Sequence, residues 1–314
     1  MRIACFFMAA AALLASGPAM AEYPDRPINF IVPFSSGGNA DLGVRTVEPY
    51  LEACLGGAEI VVVNKPGAGG AIGFADIAAA APDGYTLGVI NTPNFYSYPI
   101  VKETPWQTNS FELLGSIVGS VVTLNVRPDS PIKSLKDLID FAKKSEKPVT
   151  LGVPGIGGGD HLAMLRFENV AGLKFTYIPF TDGPLVRNAL LGGHIDIAAM
   201  SEVNAASFQG EIVPLATARA ERGELLPDTP TFREGGVDLV SSSQHIFAAP
   251  AGIPEDVRAK LAGCLEQVVK DPAFLADAKK RAVLILPMNA EQVKAYVADE
   301  EAFYRKLWQT SPWQ

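Results

Sequence analysis

The chain has 314 residues, with 34 Asp and Glu against 26 Lys and Arg and a net charge of −8. That balance, without a block of basic residues, disfavours nucleic acid as a partner. The length suggests about two domains, and 48% hydrophobic residues supply material for real cores.

The N-terminal segment is read apart from the fold. Arg2, the almost wholly apolar run Ile3–Ala15, the breakers Gly17 and Pro18, and Ala19-Met20-Ala21 have the form of a secretory signal peptide with an A-x-A cleavage site. The run is shorter than the roughly 20 residues a spanning helix needs. Residues 1–21 are therefore expected to be removed after Ala21, leaving a chain that begins at Glu22 in a bacterial periplasm. No later segment is apolar enough to span a membrane. Cys5 leaves with the signal, and Cys54 and Cys264 remain. In an oxidising compartment they form either a disulfide or two separate buried thiols, and the residues alone leave both open.

The first strand, Ile28–Phe34, turns through Ser35-Ser36-Gly37-Gly38-Asn39 into a helix over Asp41–Leu55, marked by Leu42, Val47 and Leu51 at helical spacing. Ile60–Val63 is a second strand, Asn64–Gly70 a second small-residue loop, Ile72–Ala81 a helix, and Thr86–Ile90 a third strand. This alternation is the pattern of a parallel sheet covered by helices. In such sheets ligands sit beyond the carboxyl ends of the strands, where the Ser35–Asp41 and Asn91–Tyr98 loops fall.

After a strand at Val121–Arg127, Ser134 is placed to cap a helix over Leu135–Lys144. The alternation then repeats. Strand Val149–Val153 leads through Pro154–Asp160 to helix His161–Val170, and strand Phe175–Ile178 leads through Pro179–Pro184 to helix Leu185–Leu191. Strands Ile195–Ala199 and Ile212–Ala216 complete this second α/β unit. The tail holds a strand at Ile246–Ala248 and helices over Glu255–Val269, Pro272–Arg281 and Ala290–Trp308. It is expected to return to the first unit, with crossings near Thr123–Arg127 and Ser241–Phe247 acting as a hinge.

A strand that turns over small residues into a helix presents free backbone N–H groups and the positive end of a helix dipole, which together hold an anion. Ser35, Ser36, Gly37, Gly38 and Asn39 form such a turn; the alternative is a capping turn without a ligand. Asp41 is expected to cap its own helix. Enzyme readings have less behind them. His161, His194 and His245 show no metal-ligand spacing, and there is no Gly-x-Ser-x-Gly elbow. Gly155-x-Gly157-x-Gly159 imitates a dinucleotide fingerprint, but its third glycine comes one place early. A secreted hydrolase is the alternative from another class.

Several stretches, in order along nearly the whole chain, resemble the Bug family, the TctC-like extracytoplasmic solute receptors of tripartite tricarboxylate transporters. They begin with Tyr23-Pro24-Asp25-Arg26-Pro27-Ile28, Val32-Pro33-Phe34 with Gly37-Gly38, Asp41 and Arg45, and Val61–Gly70 with Ile72-Gly73. They continue with Pro82–Leu87, Leu190–Gly193 with Ile195-Asp196, Leu226–Thr231 with Gly235-Gly236-Val237, and Ala249–Pro254. The resemblance implies an α/β, two-lobed type II periplasmic-binding-protein (Venus flytrap) fold with two crossing hinge segments. The lobes would take residues 22–124 with 245–314, and 125–244; both cysteines would then lie in the first.

The resemblance also implies the function. It is that of a monomeric receptor that captures a small organic carboxylate (a di- or tricarboxylate, an acidic amino acid or an aromatic acid) and delivers it to a two-component membrane permease. Feeding a sensor is the alternative, and no cofactor or metal is typical. The ligand would be held by Ser35–Asn39 in one lobe and by Gly155, Gly157, Gly158 and Gly159 with Thr181, Asp182 and Gly183 in the other. Relatives usually carry Ser or Thr near Gly158, and Tyr-Lys-Gly where this chain has Phe180-Thr181-Asp182. Asp182 either faces solvent or meets a donor on the ligand. His161 matches a family histidine expected to bond across its loop. Gln244 and His245 replace a common Trp and Phe; with Thr92, Asn94 and Tyr96 they either read the far end of the ligand or pack the hinge.

Overall fold

A computed structural model describes residues 23–313; the expected signal peptide, its expected cleavage site and Cys5 lie outside them. Strands and helices alternate from the start: β1 (Ile28–Val32), α1 (Asn39–Cys54), β2 (Ile60–Asn64), α2 (Ala71–Ala78), β3 (Thr86–Asn91) and α3 (Asn94–Val101). A long strand follows, β4 (Phe111–Val126), then α4 (Leu135–Lys144), β5 (Val149–Pro154), α5 (Gly159–Ala171), β6 (Phe175–Phe180) and α6 (Gly183–Leu191). The rest comprises β7 (Ile197–Ser201), α7 (Glu202–Ser207), β8 (Val213–Thr217), β9 (Ser242–Pro250), α8 (Glu255–Val268), α9 (Pro272–Lys280), β10 (Ile285–Asn289) and α10 (Ala290–Thr310).

The strand order is β2-β1-β3-β9-β4-β7-β5-β6, with β8 and β10 also on β4. β1 pairs parallel with β2 and β3, and β5 parallel with β6 and β7. Two parallel units are thus joined by antiparallel strands. The joint is β4. From Phe111 to Val121 it pairs with β9, and from Val122 to Asn125 with β7. The sequence pattern marks only the end of this 16-residue strand, because it is buried on both faces along nearly all its length and so lacks the alternation that signals a strand. α3, α7 and β10 also lie outside the elements read from sequence; each is short.

Helices cover both faces. α1 and α8 pack on one face of the first unit through Val44, Val47 and Leu51 with Leu261, Cys264 and Leu265. Cys54 and Cys264 are joined there as a disulfide, with Cα atoms 5.6 Å apart. α10 covers the opposite face with Val293, Val297 and Tyr304. In the second unit, Met164 and Phe167 of α5 pack with Leu135 and Leu138 of α4, and Val186 and Leu190 of α6 form a smaller core. α5 belongs to both units. Its Leu162 and Leu165 join the α10 core, and Arg166 bonds Glu300 at 2.7 Å with its guanidinium over Phe303.

Candidate functional site

Five of the described helices, α1, α2, α3, α5 and α8, begin without a side-chain cap, and two of them, α1 and α5, start after a glycine with extended backbone. α1 starts after Gly38, whose backbone is extended. The first bond of its ladder runs from the Leu42 N–H to the Gly38 carbonyl, so the amides of Asn39, Ala40 and Asp41 have no acceptor within the helix. α5 repeats this arrangement. Its N-cap is Gly158, Leu162 N–H reaches the Gly158 carbonyl, and the amides of Gly159, Asp160 and His161 are left over. Three free donors at the positive end of a helix dipole suit an anion.

The Ser35–Asn39 loop spends some of its amides on itself. Gly38 N–H donates to the Ser35 carbonyl at 3.2 Å, and Gly37 N–H donates to the Asp41 carboxylate at 2.8 Å. Gly37 adopts φ +78°, a conformation that suits glycine. The capacity for an anion therefore lies at Asn39 and the two amides after it. Asp41 does not cap α1. It is held on the side of the preceding turn by Asn64 (2.8 Å) and Arg45 (3.0 Å), and it closes that turn instead. Burial alone would raise its pKa. The bonds from Gly37, Asn64 and Arg45 and the Arg45 charge outweigh burial and hold the carboxyl below its ordinary value. Ser35, Ser36 and Asn39 are exposed.

In the Gly155–Gly159 loop, Gly157 N–H donates to His161 Nδ1 at 3.0 Å, while the imidazole stands edge-on to Tyr177. Burial pulls the His161 pKa down to about 4, so it is neutral at physiological pH. The loop touches the first unit. Ser97 Oγ donates to the Gly157 carbonyl at 3.4 Å, and a Cβ at Gly159 would fall 2.0 Å from Ser243 Oγ and 3.5 Å from Pro93. Glycine allows this close approach, and a methyl there would have to displace the Ser243 hydroxyl.

The remaining candidates are largely committed to the fold. Asp182 caps α6 by accepting from Leu185 N–H at 2.9 Å, and Thr181 Oγ1 donates to it. Gly183 is buried against Asn204. The start of α6 thus already holds a carboxylate. Thr92 N–H donates to the Gln244 carbonyl, and Gln244 N–H donates back to Thr92 Oγ1. The Gln244 amide lies between Ser116 and Ser242, and Asn94 Nδ2 braces Gly69 and Tyr98. His245 differs. It is 6% exposed, its Nδ1 has no partner, and burial pulls its pKa to about 4.

Three residues at this junction are absent from the sequence-based set. Ser243 makes the contact with Gly159. Asn91 ends β3 directly opposite His245, and its buried Oδ1 also lacks a partner. Asp160 stands in the first turn of α5, where burial pushes its carboxyl up to about 7. The sequence carries a signal for the last alone, an acid inside a glycine-rich loop read as an anion site. Among the described residues, no group of three or more His, Cys, Asp or Glu is placed to hold a metal.

Residues 44–310 match the tripartite tricarboxylate transporter family receptor, TctC. The chain is 31% identical over 303 residues to an UPF0065 protein of Cupriavidus necator, covering 94% of this chain and 92% of that one. It is 30% identical over 302 residues to BugT of Bordetella pertussis, covering 94% and 91%. Among solved structures, a TctC solute-binding protein from Polaromonas superposes with a TM-score of 0.81 at 27% identity, over 92% of this chain and 99% of that one. The periplasmic binding protein BugD gives 0.73 at 30%, over 92% and 98%. Two Rhodopseudomonas palustris proteins at 23% identity share the fold, one with adipate (TM-score 0.77; 92% and 98%) and one with bound malate (0.74; 91% and 99%). The chain belongs to the tripartite tricarboxylate transporter receptor family.

Proposed function

We propose that the protein is a periplasmic receptor that captures a small organic carboxylate between two lobes and hands it to a two-component membrane permease. The observation that carries this reading is the pair of uncapped helix starts, at Gly38 and Gly158, one in each parallel unit. Both follow the carboxyl end of a strand, where ligands of α/β sheets collect. Backbone amides bind a carboxylate without a buried cation that needs its own partner. The lobes would be residues 22–124 with 245–314, and 125–244, and the receptor would act as a monomer exported by its signal peptide. The ligand would rest on Asn39–Asp41 amides on one side and Gly159–His161 amides on the other, with Ser35 and Ser36 at the rim.

A receptor favours its closed form only through contacts that both lobes make with the ligand. Ligand at about 100 times Kd adds roughly 2.7 kcal/mol to stability, which a thermal-shift screen detects. The panel takes di- and tricarboxylates, acidic amino acids and aromatic acids, starting with adipate and malate. A raised Tm with at least one acid is expected. A flat response across the panel overturns the reading.

A further inference from the structure

The strand order β2-β1-β3-β9-β4-β7-β5-β6 ends in two outer strands, and their edges are protected unequally. β6 carries Pro179, and its first amide, Phe175 N–H, is spent on the Glu168 carboxylate. Proline and spent amides stop a further strand from adding. β2 pairs only with β1 among the described residues. Its sequence, Ile60-Val61-Val62-Val63-Asn64, has no proline and no charge. The phase of its ladder shows which backbone groups are left. Ile28 N–H donates to the Glu59 carbonyl at 2.9 Å, and Lys65 N–H donates to the Val32 carbonyl at 2.8 Å. Odd-numbered residues of this stretch therefore turn their backbone groups to β1, and Ile60, Val62 and Asn64 turn theirs outward. Of these, only the Ile60 N–H is occupied, by Glu52 at 2.7 Å. An open row of donors and acceptors is a template for another strand.

Side chains alternate as well. Ile60 and Val62 pack with the α1 core, while Val63 and Lys65 line a groove of about 490 Å³ on the other face, with Ile31 and Asp76. Glu59 and Val61 share that face; Glu59 is exposed and Val61 is 38% exposed. Lys65 bonds Asp76 at 2.5 Å, yet its side chain stays 40% exposed. The edge thus presents the row Glu59, Val61, Val63, Lys65, and this row is complementary to itself. Turned antiparallel about Val62, it sets Glu59 opposite Lys65, Val61 opposite Val63 and Lys65 opposite Glu59. Opposite charges and β-branched side chains are favourable facing pairs. The backbone agrees with the same register. Val62 faces Val62 and exchanges both its bonds, and each Asn64 N–H meets the Ile60 carbonyl beside the amide that Glu52 holds. A slip of two residues either way keeps backbone bonds but loses both charge pairs.

We infer that β2 is a self-association edge: a second copy of this chain pairs with it in an antiparallel, isologous seam that continues the sheet from one molecule into the other. Three strands stand between β2 and β4. The seam is therefore remote from the joint of the two units, and each copy keeps its own cleft. Five residues make a small seam, so the chain is a monomer when dilute and pairs when concentrated.

The test is analytical sedimentation of the ligand-free chain from about 1 μM to about 1 mM, where a reversible monomer–dimer equilibrium is expected. Val62→Pro removes an outward N–H that the β1 ladder does not use. It should weaken pairing at least about tenfold, since one bond is lost from each copy, and leave Tm near that of wild type. Glu59→Lys and Lys65→Glu each set like charges opposite one another, and each variant alone should stay monomeric. Mixed, the two should pair with each other, because every facing pair is again of opposite sign. A folding defect would not give that rescue. A wild type that stays monomeric to about 1 mM overturns the inference and leaves the edge to a strand of another protein. A dimer indifferent to Val62→Pro, or mixed variants that fail to pair, overturns it as well. None of these outcomes bears on the receptor reading, which the acid panel tests separately.

Discussion

At the scale of single residues, two aspartates make opposite predictions about pH. Asp41 has a lowered folded pKa, so its contribution is present above the unfolded carboxyl value of about 4 and is lost as pH falls through the folded value. Asp41→Ala should cost about 1–3 kcal/mol at pH 7, because Gly37 N–H and Asn64 lose their acceptor. The wild type and Asp41→Asn should converge in acid, as urea denaturation at pH 7 and pH 3 would report. Asp160 runs the other way. Folded, it keeps its proton up to about pH 7; unfolded, it releases it near about 4. Stability therefore falls across that window. Without ligand, Asp160→Asn should raise Tm relative to wild type by more at pH 8 than at pH 4. An equal difference at both would show that the carboxyl is solvated. Only part of the asymmetry between the two was legible in the sequence. Both stand at the start of a helix after glycines, and what separates them is the Gly37 amide, Arg45 one turn on, where α5 has Met164, and Asn64 from β2.

At the scale of elements, the helix starts could be read from local pattern because strand, small-residue turn and amphipathic helix each leave a periodic mark. α1 and α5 begin within two residues of their expected positions. What could not be read is which loop keeps its amides free. α6 follows a turn of the same character, yet Asp182 caps it. Thr92 and Gln244, expected near the ligand, bond each other across neighbouring strands, a pairing that exists only once β3 and β9 are adjacent. The contact of Gly159 with Ser243 gives a sharp test. Gly159→Ala places a methyl on the Ser243 hydroxyl and should lower both Tm and ligand affinity, whereas Ser243→Gly in the same chain should restore them. If the single variant matches wild type, the Ser243 hydroxyl turns aside and the contact does not limit this helix start.

At the scale of the whole molecule, the two parallel units are announced by composition and alternation, but their connection is not. β4 and β9 carry the chain between units, while α5 and α10 add a second tie through Arg166 and Glu300. The disulfide adds a constraint of another kind. It links positions 210 apart, and removing it with Cys54→Ser should lower stability by about 2–5 kcal/mol, measured by unfolding with and without reductant. Beyond residue 22 these two cysteines are the only ones in the sequence. Within those residues oxidation can join only this pair inside one chain, with no shuffling step. The whole stretch from β4 through β9 lies inside the covalent ring. A protease that nicks an exposed turn of the second unit, such as the one around Gly210, would yield two pieces that migrate as one on a non-reducing gel and part when thiol is added.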